Sequence, residues 1–270
     1  MKFSLILLLL GMFSVYGAND RDFDGVDDSA DRCLDTPFSD LVDANGCTTQ
    51  TLYTQTDYDI IVGVNFSTMN TATLKNTATS TTTFQADLYH GNLSAQLLTS
   101  YFRSEESTYS DTGWNDTQLS LFYTVKAAES VIVQTGVGAV LPTYSTGYGN
   151  EAIDYRGSIA MQYTLQPQIN LFGGYSYTLV NDADIPKVAL FQNTHAFYGG
   201  LGYTTPENNS INLSYAHSQS IYTQVNPIQT LSLGLFIAIT PQWFILGDYK
   251  YGLSDSASDH ETAFRLGYSF

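Results

Sequence analysis

Apolar and polar residues alternate strictly from Tyr58 onward, and this alternation organises the rest of the chain. Tyr58, Ile60, Val62, Val64 and Phe66 share one face, while Asp59, Ile61, Gly63, Asn65 and Ser67 share the other. A period of two marks a β-strand, because successive side chains point to opposite sides of the pleat. The pattern returns at Phe84-Ala86-Leu88, Leu119-Leu121-Tyr123-Val125, Tyr155 to Leu165 and Leu231 to Ile239. Twelve such runs are expected, near 57–68, 80–90, 93–104, 115–126, 129–141, 153–165, 168–180, 194–205, 210–222, 228–240, 242–252 and 260–270. Their connections alternate in length. Short turns fall at His90-Gly91-Asn92, Lys126 to Glu129, Gln166-Pro167-Gln168, Thr205 to Asn209 and Thr240-Pro241-Gln242. Longer loops fall at 69–79, 105–114, 142–152, 181–193, 223–227 and 253–259. Five short turns and six longer loops are what twelve antiparallel strands require, with both ends of the barrel segment on the short-turn side.

The polarity of the two faces identifies the solvent on each. Leu, Ile, Val, Tyr and Phe crowd one face; Gly, Ser, Thr, Gln and the few charges occupy the other. A soluble barrel packs its apolar side chains inward, whereas a transmembrane barrel reverses this. Tyr163, Tyr177, Tyr203, Tyr215 and Trp243 lie near run ends, where interfacial girdles sit. Without helices, only a closed ring satisfies every backbone group in lipid, so the run near 57–68 must pair with the run near 260–270. The expectation is an all-β, twelve-stranded antiparallel transmembrane β-barrel over residues 52–270, with a short N-terminal loop segment before it. Composition agrees. Of 270 residues, 13% are charged and 14% aromatic, and 10 Lys+Arg against 26 Asp+Glu leave a net charge of −16. That charge rules out an electrostatic footprint for nucleic acid, and the aromatics rule out a disordered acidic tail.

Residues 1–18 read as a secretory signal peptide. Lys2 supplies the positive end, Leu5 to Leu10 most of the apolar stretch, and Val15, Gly17 and Ala18 the small residues for cleavage. The apolar run is too short for a spanning anchor. After export, the two cysteines, Cys33 and Cys47, meet an oxidising space and are expected to pair.

Residues 19–50 carry different chemistry. Nine acidic and two basic residues lie between Asn19 and Cys47. Asp20, Asp22, Asp24, the Val26 carbonyl, Asp28 and Asp31 fall at positions 1, 3, 5, 7, 9 and 12 of an EF-hand-like loop, with Gly25 at position 6. Ca²⁺ needs about six to eight oxygens around one point, so alternate side chains turn inward and a glycine permits the reversal. These residues, with Cys33-Leu34-Asp35-Thr36-Pro37 and Asp43-Ala44-Asn45-Gly46-Cys47, resemble a thrombospondin type-3 repeat and the calcium-binding, disulfide-closed linker of OmpA-type outer-membrane proteins. In that family the linker follows the barrel and leads to a peptidoglycan-binding domain. Here it precedes the barrel, so a peptidoglycan role is not expected to carry over. The resemblance implies bound Ca²⁺ that stiffens a periplasmic segment.

The chain stops at Phe264-Arg265-Leu266-Gly267-Tyr268-Ser269-Phe270. Its alternating residues and aromatic terminus resemble the C-terminal assembly signal of bacterial outer-membrane barrels, which implies the barrel-assembly machinery as a partner through Phe270. Parity turns Asp59, Asp87, Asp154, Arg156, Asp248, Lys250 and Arg265 inward, as it must, since each charge facing lipid at mid-membrane costs about 2–4 kcal/mol. An Arg265-centred carboxylate cluster is expected across the seam, either as an ion-selective constriction or simply as charge pairing. Inward Phe122, Phe172, Tyr198, Phe236, Phe244 and Leu246 would narrow or plug the lumen. The leading expectation is a passive porin-like channel for small solutes, surrounded by outer-membrane lipid. A non-conducting adhesin or structural barrel is the alternative. A lipid-modifying enzyme comes third: Tyr215 to Ser220 is similar to the lipase motif of barrel enzymes, but parity puts Ser218 and Ser220 opposite His217 and leaves Gln219 beside it. No nucleotide-binding or zinc-type motif appears in the sequence.

Overall fold

The computed structural model describes residues 31–33, 41–43, 45, 47–50, 56–70, 77–106, 109–144, 151–185 and 188–270. The chain divides into two units, Met1–Tyr53 and Thr54–Phe270. In the first, β1 (Leu41–Val42) and β2 (Thr48–Gln50) form a small antiparallel ladder. The Cys33–Cys47 disulfide closes this region. Asp43 shapes its turn: one carboxylate oxygen accepts the amides of Asn45 at 2.8 Å and Cys47 at 3.2 Å. These amide bonds hold the Asp43 carboxyl below the ordinary carboxylate range, with the Arg32 charge adding to the effect. Asp31 accepts the Cys33 amide through Oδ1 at 2.7 Å, and its buried Oδ2 has no hydrogen-bond partner. The remaining expected calcium ligands, Asp20, Asp22, Asp24, Val26 and Asp28, and the expected signal segment lie outside the described residues.

The second unit is built from β3 (Thr56–Met69), β4 (Thr77–His90), β5 (Leu93–Glu106), β6 (Tyr109–Trp114), β7 (Thr117–Ala128), β8 (Val131–Leu141), β9 (Asp154–Gln166), β10 (Ile169–Leu179), β11 (Thr194–Thr204), β12 (Ser210–Ser218), β13 (Ile228–Ala238), β14 (Trp243–Gly252) and β15 (His260–Ser269). Every pairing is antiparallel, all but β5–β7 join neighbours in sequence, and β15 returns to pair with β3. The ring is therefore closed, as the alternation required. β6 and β7 are two halves of one barrel strand. β5 pairs Tyr101 with Trp114 of β6 and Leu97 with Leu119 of β7, so Asn115–Asp116 forms a bulge. The Asn115 amide and side chain both bond Ser100, at 2.9 and 2.8 Å, and pin the break. Counted this way, the barrel has twelve strands.

Two boundaries differ from the sequence expectation. The stretch 105–114, read as a loop, is largely strand, because β5 and β6 pair up to Glu106 and Tyr109. Its Ser, Thr and Asp residues suggest a turn, but ladder bonds to an adjacent strand outweigh so weak a local preference. Conversely, β12 ends at Ser218 rather than continuing to Tyr222, where Gln192 side-chain bonds and a Phe191–Tyr222 bridge replace the ladder. The tight turns use backbone that favours glycine or asparagine: φ is 57° at Gly91 and 59° at Asn208.

Which face is apolar decides the solvent. On β13, Leu231, Leu233, Leu235 and Ile237 are exposed outward, while Gly234 between them is buried. Among the described residues the buried apolar side chains are only Ile61, Phe102 and Ala257. A water-soluble domain of this length buries its large apolar side chains; this barrel displays them in a continuous outer band. The band has the chemistry of a surface that faces lipid.

Candidate functional site: the barrel lumen

The inward face holds the charged side chains of the strands among small polar residues and large rings, and the register decides how its charges meet. At mid-height, Arg265 on β15 ion-pairs with Asp248 on β14. Lys250 and Glu261 are register partners on the same two strands and pair at 2.7 Å, with Asn65 of β3 donating to the same Glu261 oxygen at 2.7 Å. Arg265 reaches along the wall because its partner on β3 is Gly63, where a Cβ would stand 2.3 Å from the Arg265 Cγ. Its Nε is buried without a partner.

Asp59 and Asp87 do not join Arg265. They are register partners of each other on β3 and β4. The Ser269 hydroxyl donates to Asp59, and the side-chain amides of Gln85 and Gln96 donate to Asp87 at 2.6 and 2.8 Å. Asp87 is 6% exposed. The Arg265–Asp248 pairing is as expected from their similar depth, and Asp59 and Asp87 form a separate group nearer the short turns. The reason is geometric: Arg265 stands opposite Gly63, two inward positions along β3 from Asp59, and Asp248 is nearer.

At the long-loop end, Arg156 donates to Thr178 and to Gln118, each at 3.2 Å. Asp154, 4% exposed, accepts the Asn181 amide at 2.8 Å and so anchors the loop after β10. Asp182 accepts the amides of Glu151 and Ala152, and Asp116 accepts that of Tyr144. Asp116 and Asp182 both stand close enough to Asp154 to repel it. The Tyr144 ring stacks on inward Phe102 at 5.9 Å, and Tyr222 packs on Phe191 at 5.3 Å. Burial pushes the Tyr222 phenol up, and the nearby Tyr144, Asp182 and Asp116 add to this. The bulge between β6 and β7 and the loops after β8, β10 and β12 therefore meet at this mouth.

The large inward side chains are turned along the wall. A Cβ at Gly136 would stand 2.5 Å from the Phe122 ring, at Gly200 2.6 Å from Phe172, at Gly174 2.7 Å from Tyr198, and at Gly267 2.1 Å from Phe244. Each of these glycines is the register partner of the ring that covers it. The sequence expectation is that the inward rings narrow or plug the lumen; these four each lie against the glycine facing them on the neighbouring strand.

Parity could have found Glu261, Gln85, Gln96 and Ser269, all on the inward face of predicted strands. Asp116 and Asp182 carry no such signal, because they belong to a bulge and a loop without periodicity. The lipase-like residues are kept apart: His217 stacks on Phe197 at 4.8 Å in the outward girdle, and the Ser218 hydroxyl donates to the Gln219 carbonyl. A groove of about 750 Å³ between Ala86, Ala95, Leu121 and Val137 opens on the apolar outer wall and is separate from the lumen.

No protein-family model matches the chain, and no curated protein matches its sequence. Its fold does have solved counterparts. An outer membrane channel from Pseudomonas putida F1 superposes with a TM-score of 0.63 at 13% identity, covering 83% of this chain and 100% of that one. The NanC porin gives 0.51 at 16% identity, covering 79% and 98%. The KdgM porin in complex with disordered oligogalacturonate gives 0.51 at 10% identity, with the same coverage. At these identities the likeness concerns the fold.

Proposed function

We propose that the protein is a porin-like passive channel for small solutes in a bacterial outer membrane. The observation that carries this reading is the polar lumen of a closed twelve-stranded ring, in which bulky rings lie flat over paired glycines. Twelve strands enclose more than the eight of a side-chain-filled barrel. The fold shared with porins and an outer membrane channel supports it. Lipid surrounds the apolar band, the short-turn end and N-terminal segment face the periplasm, and the strand ending at Phe270 is the feature read by the assembly machinery. Single-channel recording of the purified protein in planar bilayers tests the reading; a barrel that inserts yet gives no current steps refutes it. The converging loops around Tyr144 and Tyr222 favour a second reading, a non-conducting envelope barrel closed at that mouth, and the same recording separates the two.

The N-terminal segment is assigned to Ca²⁺, held by Asp20, Asp22, Asp24, the Val26 carbonyl, Asp28 and Asp31. The buried, unpartnered Asp31 Oδ2 fits a cation ligand. Calorimetric titration of the intact protein with Ca²⁺ should give a binding isotherm that Asp20→Asn/Asp24→Asn removes. An isotherm unchanged by that double substitution, or none with the disulfide intact, defeats the assignment.

A further inference from the structure

Among the described residues, the fixed charge of the lumen wall is balanced in the middle and acidic towards both ends. At mid-height the two cations face two carboxylates, Arg265 with Asp248 and Lys250 with Glu261. Towards the short turns, Asp59 and Asp87 are held by hydroxyl and amide groups, which orient a carboxylate but leave its charge in place. The cation of that end, Lys126, stands exposed at the end of β7. At the long-loop mouth, among the described residues, Asp116 and Asp182 stand near Asp154, and Arg156 is the cation beside that carboxylate. The wall from β10 to β13 contributes no charge inward: its inward positions are Ser, Thr, Asn, Gly and Ala with Phe172, Tyr198, Phe236 and Ile228. Nothing on that wall offsets the excess at the ends.

We infer that the channel prefers cations, and that its natural solutes are small and positively charged or neutral. The inference rests on the porin-like reading and specifies its solute class. The physical ground is that carboxylates lining a narrow conduit attract counter-ions and repel anions, and the low-dielectric wall concentrates that field within the water. At about 0.1 M salt the screening length is about 10 Å, so the ends act across the water inside a barrel of this size. The mid-lumen pairs oppose nothing, because each cation there is matched by a carboxylate of the adjoining strand.

The test is the reversal potential of the full-length purified protein in planar bilayers under a tenfold KCl gradient. The expected K⁺-over-Cl⁻ permeability ratio exceeds about three, and it falls towards one when both solutions are concentrated, where the screening length shrinks to about 3 Å. Asp116→Asn/Asp182→Asn should lower the ratio at least about twofold. Asp59→Asn, at the opposite end and bonded by the Ser269 hydroxyl and the Tyr89 side chain, is the second variant if the Asp116/Asp182 pair fails to fold, and it should lower the ratio in the same direction. A ratio at or below one, or one that none of these substitutions moves, overturns the inference and leaves the channel standing. Absence of any current overturns the channel itself.

Discussion

Replacing Gly267 with alanine is the most direct test of how the lumen keeps its bulk against the wall. A Cβ at Gly267 would stand 2.1, 2.2 and 2.6 Å from three atoms of the Phe244 ring. Carbon atoms rest about 3.5–4.0 Å apart, so the ring must retreat by about 1.4 Å or more, away from β15 and into the lumen. Phe236 restricts that movement, since its ring centroid lies 5.6 Å from that of Phe244. Overpacking of this kind costs about 1–3 kcal/mol. Gly157 is the control: a Cβ there meets nothing within 4 Å. Gly157→Ala should be neutral or stabilising by up to about 1 kcal/mol, because glycine inside a strand is entropically unfavourable. The assay is denaturant unfolding of the barrel from lipid vesicles, followed by the fluorescence of Trp243, which packs on Tyr268 at 4.8 Å on the adjoining strand. Repeating Gly267→Ala in a Phe244→Leu background completes a double-mutant cycle, and a coupling of about 1 kcal/mol is expected. Channel conductance should fall with Gly267→Ala alone and recover in the double variant. Equal destabilisation by Gly267→Ala in both backgrounds would refute the picture of a ring resting on that glycine.

Three further outcomes follow from the same coordinates. Leu121→Arg places a charge on an outward side chain 60% exposed, and should destabilise the barrel in vesicles by about 2–4 kcal/mol, whereas Ser120→Arg on the inward face should cost little; similar losses at both sites would contradict the assignment of faces. Asp248→Asn removes the carboxylate from Arg265, and with both side chains about one-third exposed the loss should be about 1–2 kcal/mol, less than for a dry pair, read as a shift in denaturant midpoint. In the N-terminal unit, the Asp43 carboxyl is held below its ordinary value of 3.8, so its contribution to the turn is complete above that pH and is lost as pH falls through its lowered value. Hydrogen-exchange protection of the Asn45 and Cys47 amides should be constant from pH 7 to 5 and drop below about 3.8; protection that instead fails on raising the pH would reverse the sign.

Twelve runs of alternation sufficed for the strand count, the antiparallel order, the closure of β15 onto β3 and the face each side chain takes. These follow from sequence because they depend on a single local quantity, the period-two separation of apolar from polar side chains, and because lipid forbids both a charged outer face and an unpaired edge. The disulfide was equally legible, since the sequence holds two cysteines and they have one pairing. What tertiary structure alone decided was register. One inward residue can face any of several positions on the next strand, and only the actual stagger sets Arg265 against Gly63 and within reach of Asp248, leaves Asp59 with Asp87, and puts Phe122, Phe172, Tyr198 and Phe244 over glycines. The bulge carboxylate Asp116 and the loop carboxylate Asp182 were beyond reach for a related reason. Their positions come from amides and rings supplied by distant strands, and no periodicity in their own neighbourhood records where those strands lie.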